Sequence, residues 1–356
     1  MINDFPMQQL IDQDGNVLDH ERMQEISIEK VKDMYYFMHR ARLLDKKCVN
    51  LQRQGRIGTY VQYEGQEGAQ VGSALALEEG DWMFPTYRDH AATLTYGQTM
   101  KNLLLNWRGR IEGGIAPEGI HIFPPAVPIA SQLPQAAGAA LAEKKKGTDR
   151  VSLVYFGDGA TSEGDFHEGL NFASVFQTPT VFFNQNNGYA ISVPVEKQMN
   201  SETIAQKGLG YDMNCLRIDG NDVIGVYCAV KDAVHKARSG AGPTLIEAVT
   251  WRYGAHTTAD DPSKYRDQSE SEVRRQTTDP LLRVEKYLKA QDAWQEQWKQ
   301  EIEAQIESEI ETALEEMESY PEPEMNQLFD YVFETPTWTI QQQIDEHLAV
   351  KGGKTS

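Results

Sequence analysis

The stretch Leu153–Gly169, LVYFGDGATSEGDFHEG, decides the fold. Its apolar run stops at Gly157, a single carboxylate (Asp158) stands between two glycines, and the chain turns polar. Downstream, Val181–Ser192, VFFNQNNGYAIS, ends a second apolar run in the pair Asn186–Asn187. Between Gly159 and Asn186 lie 26 residues, enough for loop, helix, loop and strand. The helix is SEGDFHEGLNFASVF, with Phe166, Leu170 and Ala173 on one face. Working outward, TVFFN and LRIDG read as strands, NDVIGVYCAVKDAVHKARSG as a helix and TLIEAVTWR as a last strand. This alternation predicts an α/β fold, a parallel sheet with crossover helices on both faces.

Upstream, residues 1–27 read as an arm carrying one turn, DQDGN. A helix is predicted from Ile28 to about Gln54, with Val31, Met34, Tyr35, Met38 and Leu43 at helical spacing. GDWMFPTYRDH reads as a short strand leaving into a loop. IASQLPQAAGAALAEKKKG reads as a helix of small residues ending in lysines and glycine. The sheet domain is expected over 28–279, followed by a C-terminal helical segment and tail over 280–356. That segment reads as two amphipathic helices, DPLLRVEKYLKAQ and AWQEQWKQEIEAQIESEIETALEEMES, the acid-rich face of the second being solvated surface. LFDYVFETPTW is either a strap docking on its own domain or a subunit contact, and KGGKTS a frayed tail.

The chain has 356 residues, 40% hydrophobic and 24% charged, as soluble globular proteins do. A formal net charge of −19 argues against nucleic acid or an anionic membrane as partner. No apolar run approaches the roughly 20 residues of a membrane span, and the start has neither secretory nor transit character. The three cysteines share no metal-type spacing and read as inert thiols in a reducing compartment. A cytoplasmic protein is expected. The acidic balance means that any phosphate site must supply its positive charge locally.

Ligands of parallel α/β sheets bind outside the carboxyl ends of the strands, so the two turns should face one crevice. There Asp158, the Asn187 amide oxygen and the Tyr189 carbonyl can converge as an all-oxygen set suited to Mg²⁺. Gly157 and Gly159 would let the backbone approach a pyrophosphate and adopt dihedrals closed to other residues. Ser162 and Asp165 resemble a capping box opening the next helix, whose N–H groups would face the ligand. A dinucleotide fingerprint is the alternative, but the third glycine falls at Gly164, two positions late. There is no Walker-type G-x-x-x-x-G-K-[ST].

G-D-G, 26 residues and N-N are similar to the thiamine diphosphate motif of transketolase-like enzymes. The resemblance then covers about Ile28 to Trp338. The runs RQGRIGTYVQYEGQEGAQ, FPTYRDHA, VPIASQLPQAAGAA, GDGATSEGDFHEGLNFA…NNGYAISVPVEKQ and WRYGAHTTADDPSKYR resemble alpha subunits of the 2-oxo-acid dehydrogenase decarboxylating component. The overall likeness is to the pyruvate dehydrogenase type of Gram-positive bacteria, then to the branched-chain type. An acetoin-cleaving relative shares the motifs.

The resemblance makes 28–279 the diphosphate-side binding domain for thiamine diphosphate. It implies that Asp158, Asn187 and Tyr189 ligate Mg²⁺ and that Tyr87 and Arg88 contact the diphosphate. Gly157, Gly159 and Ala160 would present backbone to it, and Ile129 would hold the cofactor bent against its aminopyrimidine. His256 corresponds to an active-site histidine on a mobile loop, which lies near the diphosphate as part of the cofactor site and assists acyl transfer to a lipoyl group. Tyr60 and Ala116–Gly119 are weaker candidates for lining the substrate approach. Two positions depart from relatives: Gln185 where some have arginine, and Thr257 where mitochondrial ones carry a phosphorylated serine. The half-site that supplies a glutamate to the pyrimidine ring has no match in this sequence. The implied partners are therefore a beta subunit, in a two-alpha two-beta heterotetramer, and the lipoyl-bearing dihydrolipoyl acyltransferase, with a small 2-oxo acid as substrate. The opposing reading is a non-catalytic subunit that keeps the cofactor pocket.

Overall fold

The computed structural model describes residues 5–323, 329 and 332–352. In chain order its helices and strands are α1 (His20–Met23), α2 (Ile28–Arg53), α3 (Glu67–Ala74), β1 (Trp82–Phe84), α4 (His90–Thr95) and α5 (Met100–Trp107). There follow β2 (His121–Ile122), α6 (Gln132–Lys146), β3 (Ser152–Gly157), α7 (Gly164–Phe176), β4 (Thr180–Asn186), β5 (Tyr189–Ala190) and β6 (Val193–Pro194). The chain continues through α8 (Val195–Gln198), β7 (Asn214–Asp219), α9 (Val223–Arg238), β8 (Thr244–Val249), α10 (Gln268–Thr277), α11 (Pro280–Ala290), α12 (Glu296–Glu318) and α13 (Trp338–Gly352).

The main sheet has six strands in the order β2-β1-β3-β4-β8-β7, all parallel. The alternation of side chains along a strand builds two cores. Leu153, Tyr155, Val181 and Phe183 point to one face and pack with Val226, Val230 and Val234 of α9. Val154, Phe156 and Phe182 point to the other and meet Leu133 and Ala137 of α6 with Phe166, Leu170 and Ala173 of α7. Helices cover both faces, as expected. Buried on both sides, β3 and β4 read in the sequence as unbroken apolar runs rather than alternating ones.

Helix ends follow local chemistry. The Ser27 side chain caps α2, and α6 stops at Gly147, whose φ of 74° is open to glycine at little cost. In α2 the buried stripe takes Leu44, with Leu43 only half-buried. The arm is fastened to the sheet domain. Gln8 bridges Ile218 of edge strand β7, and the N–H groups of Leu10 and Ile11 donate to Asp222 at 2.6 and 3.0 Å. Two expectations about the turn after β3 fail. The residues that follow Gly157 form a 3-10 turn, Asp158–Ser162, and α7 starts later, with Glu163 at its N-cap and no capping side chain. Gly157 has an ordinary φ of −84°, and Gly159 is not in the left-handed region either.

The chain forms two units, one running to Leu314 and one from Glu315 onward. The second contains α13, on which Trp338, Leu348 and Val350 are exposed. Of the aromatic patch expected near the C-terminus, residues 328, 330 and 331 lie outside the described residues, and Val332 and Phe333 are exposed; residues 353–356 of the expected tail also lie outside, and its first two, Lys351 and Gly352, belong to α13. No helix among the described residues is long and apolar enough to cross a membrane.

Candidate active site

The carboxyl ends of β3 and β4 open into one cavity of about 230 Å³. Gly157, Asp158, Gly159 and Ala160 line it from the turn after β3, and Asn187 and Tyr189 from the turn after β4. Tyr87 and Arg88 enter from the segment after β1, Ile129 from the loop before α6, and His256 from the loop after β8. Every residue put forward for the cofactor or the metal therefore borders one space. Tyr60 does not: it is fully buried, and its hydroxyl donates to Asp45 at 2.8 Å. Ala116–Gly119 and Thr257 also lie off the cavity wall.

The turn after β3 is shaped for a close approach. A Cβ on Gly159 would come within 2.7 Å of Ala190 Cβ, and one on Gly157 would project into open space. The value of these glycines is thus the missing side chain, not an unusual dihedral. Asp158 is 1% exposed, and its Oδ2 accepts one hydrogen bond, 2.7 Å from Gln198 Nε2. Burial pushes its pKa up, against that hydrogen bond and the more distant charge of Arg252, and no cation among the described residues forms an ion pair with it. Asn187 turns its Nδ2 to Gln66 Oε1 at 2.8 Å, which fixes the orientation of its amide oxygen. Among the described residues no three His, Cys, Asp or Glu side chains cluster as metal ligands. A cation here would rest on one carboxylate plus amide and carbonyl oxygens, the donor type of Mg²⁺ rather than of zinc.

Opposite this carboxylate stand two guanidinium groups. Arg88 donates from Nη2 to His256 Nδ1 at 3.0 Å and to the His256 carbonyl at 2.9 Å, and from Nη1 to the Gln62 carbonyl. Arg252, 1% exposed, donates to the same Nδ1 at 3.2 Å and to the Ile191 carbonyl at 3.2 Å. Neither forms an ion pair with a carboxylate among the described residues. Burial brings the Arg88 pKa down to about 10, and Arg252 adds to the effect. Arg252 Nε and Gln66 Nε2, on residues that line the cavity, are buried without a partner. This unpaired positive charge fits a polyanionic ligand.

The same contacts fix the state of His256. Arginine only donates, so an Nδ1 facing two guanidiniums must be the acceptor, leaving the proton on Nε2. Burial and then the two arginines lower its pKa to about 4, and the imidazole is neutral at pH 7. Its loop is braced: His256 N donates to Asp260 at 2.8 Å, and Arg266 donates to the carbonyls of Arg252, Tyr253 and Gly254. At Gly65 the φ is 100° and a would-be Cβ lies 2.2 Å from the Trp251 carbonyl, so only glycine lets the segment before α3 touch the start of the loop after β8. Ile191 sits at φ 55°, a conformation costly for a β-branched residue, with its carbonyl on Arg252.

Sequence reasoning singled out neither Arg252 nor Gln66, although both lie in the quoted runs WRYGAHTTADDPSKYR and YEGQEGAQ. Gln185 is engaged on both sides. It accepts from Gln70 Nε2 at 3.1 Å and donates to buried Asp89.

Residues 35–326 match the model of the dehydrogenase E1 component. The chain belongs to that family. The alpha subunit of 3-methyl-2-oxobutanoate dehydrogenase from Mycobacterium tuberculosis is 41% identical over 339 residues, 95% of this chain and 92% of that one. The E1 component alpha subunits of pyruvate dehydrogenase from Staphylococcus epidermidis and Staphylococcus aureus are 38% and 37% identical over 342 residues, each covering 96% of this chain and 92% of the relative. The resemblance to E1 alpha subunits drawn from the sequence is borne out. Identity does not favour the pyruvate relatives over the branched-chain one.

Proposed function

We propose that this E1 chain is the alpha subunit of a 2-oxo-acid dehydrogenase decarboxylating component that uses thiamine diphosphate and Mg²⁺. The observation that carries the reading is one cavity lined by a buried carboxylate without an ion-pair partner among the described residues and by two guanidiniums that bond only neutral acceptors. Asp158, the Asn187 amide oxygen and the Tyr189 carbonyl would hold the metal. Tyr87, Arg88 and Arg252, with the backbone of Gly157, Gly159 and Ala160, would hold the diphosphate, and Ile129 would lie against the aminopyrimidine. When bound, thiamine diphosphate supplies the electron sink that lets a 2-oxo acid lose carbon dioxide.

The protein's part is position and charge. Arg88 and Arg252 pin the imidazole through Nδ1, which leaves the His256 Nε2–H as a donor toward the cavity. A neutral ring can donate there without adding a third positive charge. Ile129 is 44% exposed at the cavity, so this chain alone does not close the site. That supports a beta subunit as the partner that completes it, in a two-alpha two-beta assembly served by a lipoyl-bearing acyltransferase. Three unpaired thiols support a cytoplasmic setting.

Pyruvate is the substrate we favour, on the overall likeness of the quoted runs. The relative at 41% identity favours 3-methyl-2-oxobutanoate as a second reading. Both are tested on the complex captured through this chain, by decarboxylation with an artificial electron acceptor, with and without thiamine diphosphate and Mg²⁺. Cofactor-dependent turnover preferring pyruvate supports the first reading, and the reverse preference the second. No turnover with a verified beta-type partner present would leave a cofactor-binding subunit without catalysis.

A further inference from the structure

A third cation meets the turn Asp158–Ser162 from outside the cavity lining that Arg88 and Arg252 share. Lys207 Nζ donates to the Thr161 carbonyl at 3.1 Å and to Thr161 Oγ1 at 2.7 Å. The Thr161 hydroxyl passes its own hydrogen to the Asp158 carbonyl at 2.9 Å. Thr161 is 2% exposed, whereas Lys207 is half-buried, hydrogen-bonds only neutral oxygens and has the face of the Phe166 ring 5.8 Å from its Nζ. A lysine spending its charge on a carbonyl and a hydroxyl, in a chain of net charge −19, needs a reason.

Its mounting supplies one. Lys207 lies on the 3-10 segment Ala205–Tyr211. Glu247 of β8, 1% exposed, accepts from the N–H groups of Ile204 and Ala205 at 2.9 and 3.0 Å. The other oxygen of Glu247 accepts from Asn186 Nδ2 at 2.8 Å. One buried carboxylate thus sets the lysine segment and the paired asparagines in a common register. The cation is delivered to the aspartate turn in a geometry tied to the asparagine turn.

We infer that Lys207 is a positioning residue for the metal–diphosphate pair: through Thr161 it holds the Asp158–Ser162 turn in its binding shape and adds positive charge beside it. The inference rests on the cofactor reading above. Loss of part of a charge-assisted hydrogen bond weakens binding by about tenfold.

The test is calorimetric titration of magnesium thiamine diphosphate into the full-length chain complexed with its beta-type partner, in wild type, Lys207→Met and Lys207→Arg, with melting of each ligand-free complex. Expected are about tenfold weaker binding for Lys207→Met, affinity within about threefold of wild type for Lys207→Arg, and ligand-free melting points within about 2 °C of one another. Should Lys207→Met not fold, Lys207→Gln, which keeps a donor but not the charge, takes its place with the same expected loss. Wild-type binding with an unchanged neutral variant overturns the role of Lys207 alone. Failure of the wild-type complex to bind overturns the cofactor reading and this inference with it.

Discussion

Replacing Arg252 with methionine should separate ligand affinity from fold stability. The guanidinium is 1% exposed, and its protein partners are neutral acceptors at long range: the Ile191 carbonyl and His256 Nδ1 at 3.2 Å and the Tyr265 hydroxyl at 3.4 Å. Such bonds contribute about 0.5–1.5 kcal/mol each, and removing a buried, unpaired cation offsets their loss. The methionine stem fills much of the space vacated by the arginine stem. Ligand-free stability should therefore move by no more than about 1 kcal/mol. Binding is another matter. A charge-assisted bond to a phosphate oxygen is worth about 1.5–3 kcal/mol, so the Kd for magnesium thiamine diphosphate should rise roughly 10- to 150-fold. The pKa of His256 should also rise from about 4, because Arg252 is one of the charges holding it down. Calorimetric titration and thermal melting of the same preparations decide it. A variant that melts many degrees lower yet binds as tightly as wild type would make Arg252 a structural anchor and refute the charge argument.

Asp158→Asn keeps the shape of the metal site and removes its only carboxylate. Mg²⁺-dependent cofactor affinity should fall at least about 100-fold, read by titration, while the ligand-free complex melts no lower, because burial already disfavours the charged form. The ligand-free chain should lose stability as pH falls from 6.5 to about 4. Unfolded His256 takes up its proton near the ordinary 6.5 and the folded residue only near 4, so protonation in that window favours the unfolded state. An imidazole NMR titration of His256 with a midpoint near 6.5 would contradict this. Gly65→Ala should destabilise by roughly 3 kcal/mol or more, since the new Cβ meets the Trp251 carbonyl at 2.2 Å with φ at 100°. Denaturant unfolding measures that loss.

Legibility followed the range of the forces. The β3–α7–β4 unit could be read because each element is specified locally: apolar runs, a helical stripe at Phe166, Leu170 and Ala173, and turn residues at the strand ends. Parallel pairing then dictates that the two turns share an edge, and the convergence of Asp158 with Asn187 follows. The capping box at Ser162 was misread because a serine followed three residues later by an acid is a common pattern. Here the 3-10 turn intervenes and shifts the helix start to Gly164. Tyr60 sits in a quoted run, but whether its ring faces a cavity or a core depends on Asp45, 15 residues earlier, which takes its hydroxyl.

Arg252 was the harder case, and it answers the question raised by the net charge. Nothing in the local sequence says which way an arginine after a strand end will turn, since its long stem reaches water as easily as the interior. What turns it inward is tertiary. Arg266 clamps the backbone of Arg252, Tyr253 and Gly254, and Ile191, strained at φ 55°, offers its carbonyl to the guanidinium. The neutral Gln185 adds no charge to this cavity wall and is occupied with Gln70 and Asp89. Positive charge is concentrated instead on Arg88 and Arg252, both on one imidazole. Among the described residues neither is ion-paired to a carboxylate; burial lowers the affinity of both for their protons, and the repulsion of Arg252 lowers that of Arg88 further. A diphosphate between them would relieve that repulsion, so a chain of net charge −19 can hold a polyanion where the local field, not the global one, sets the sign.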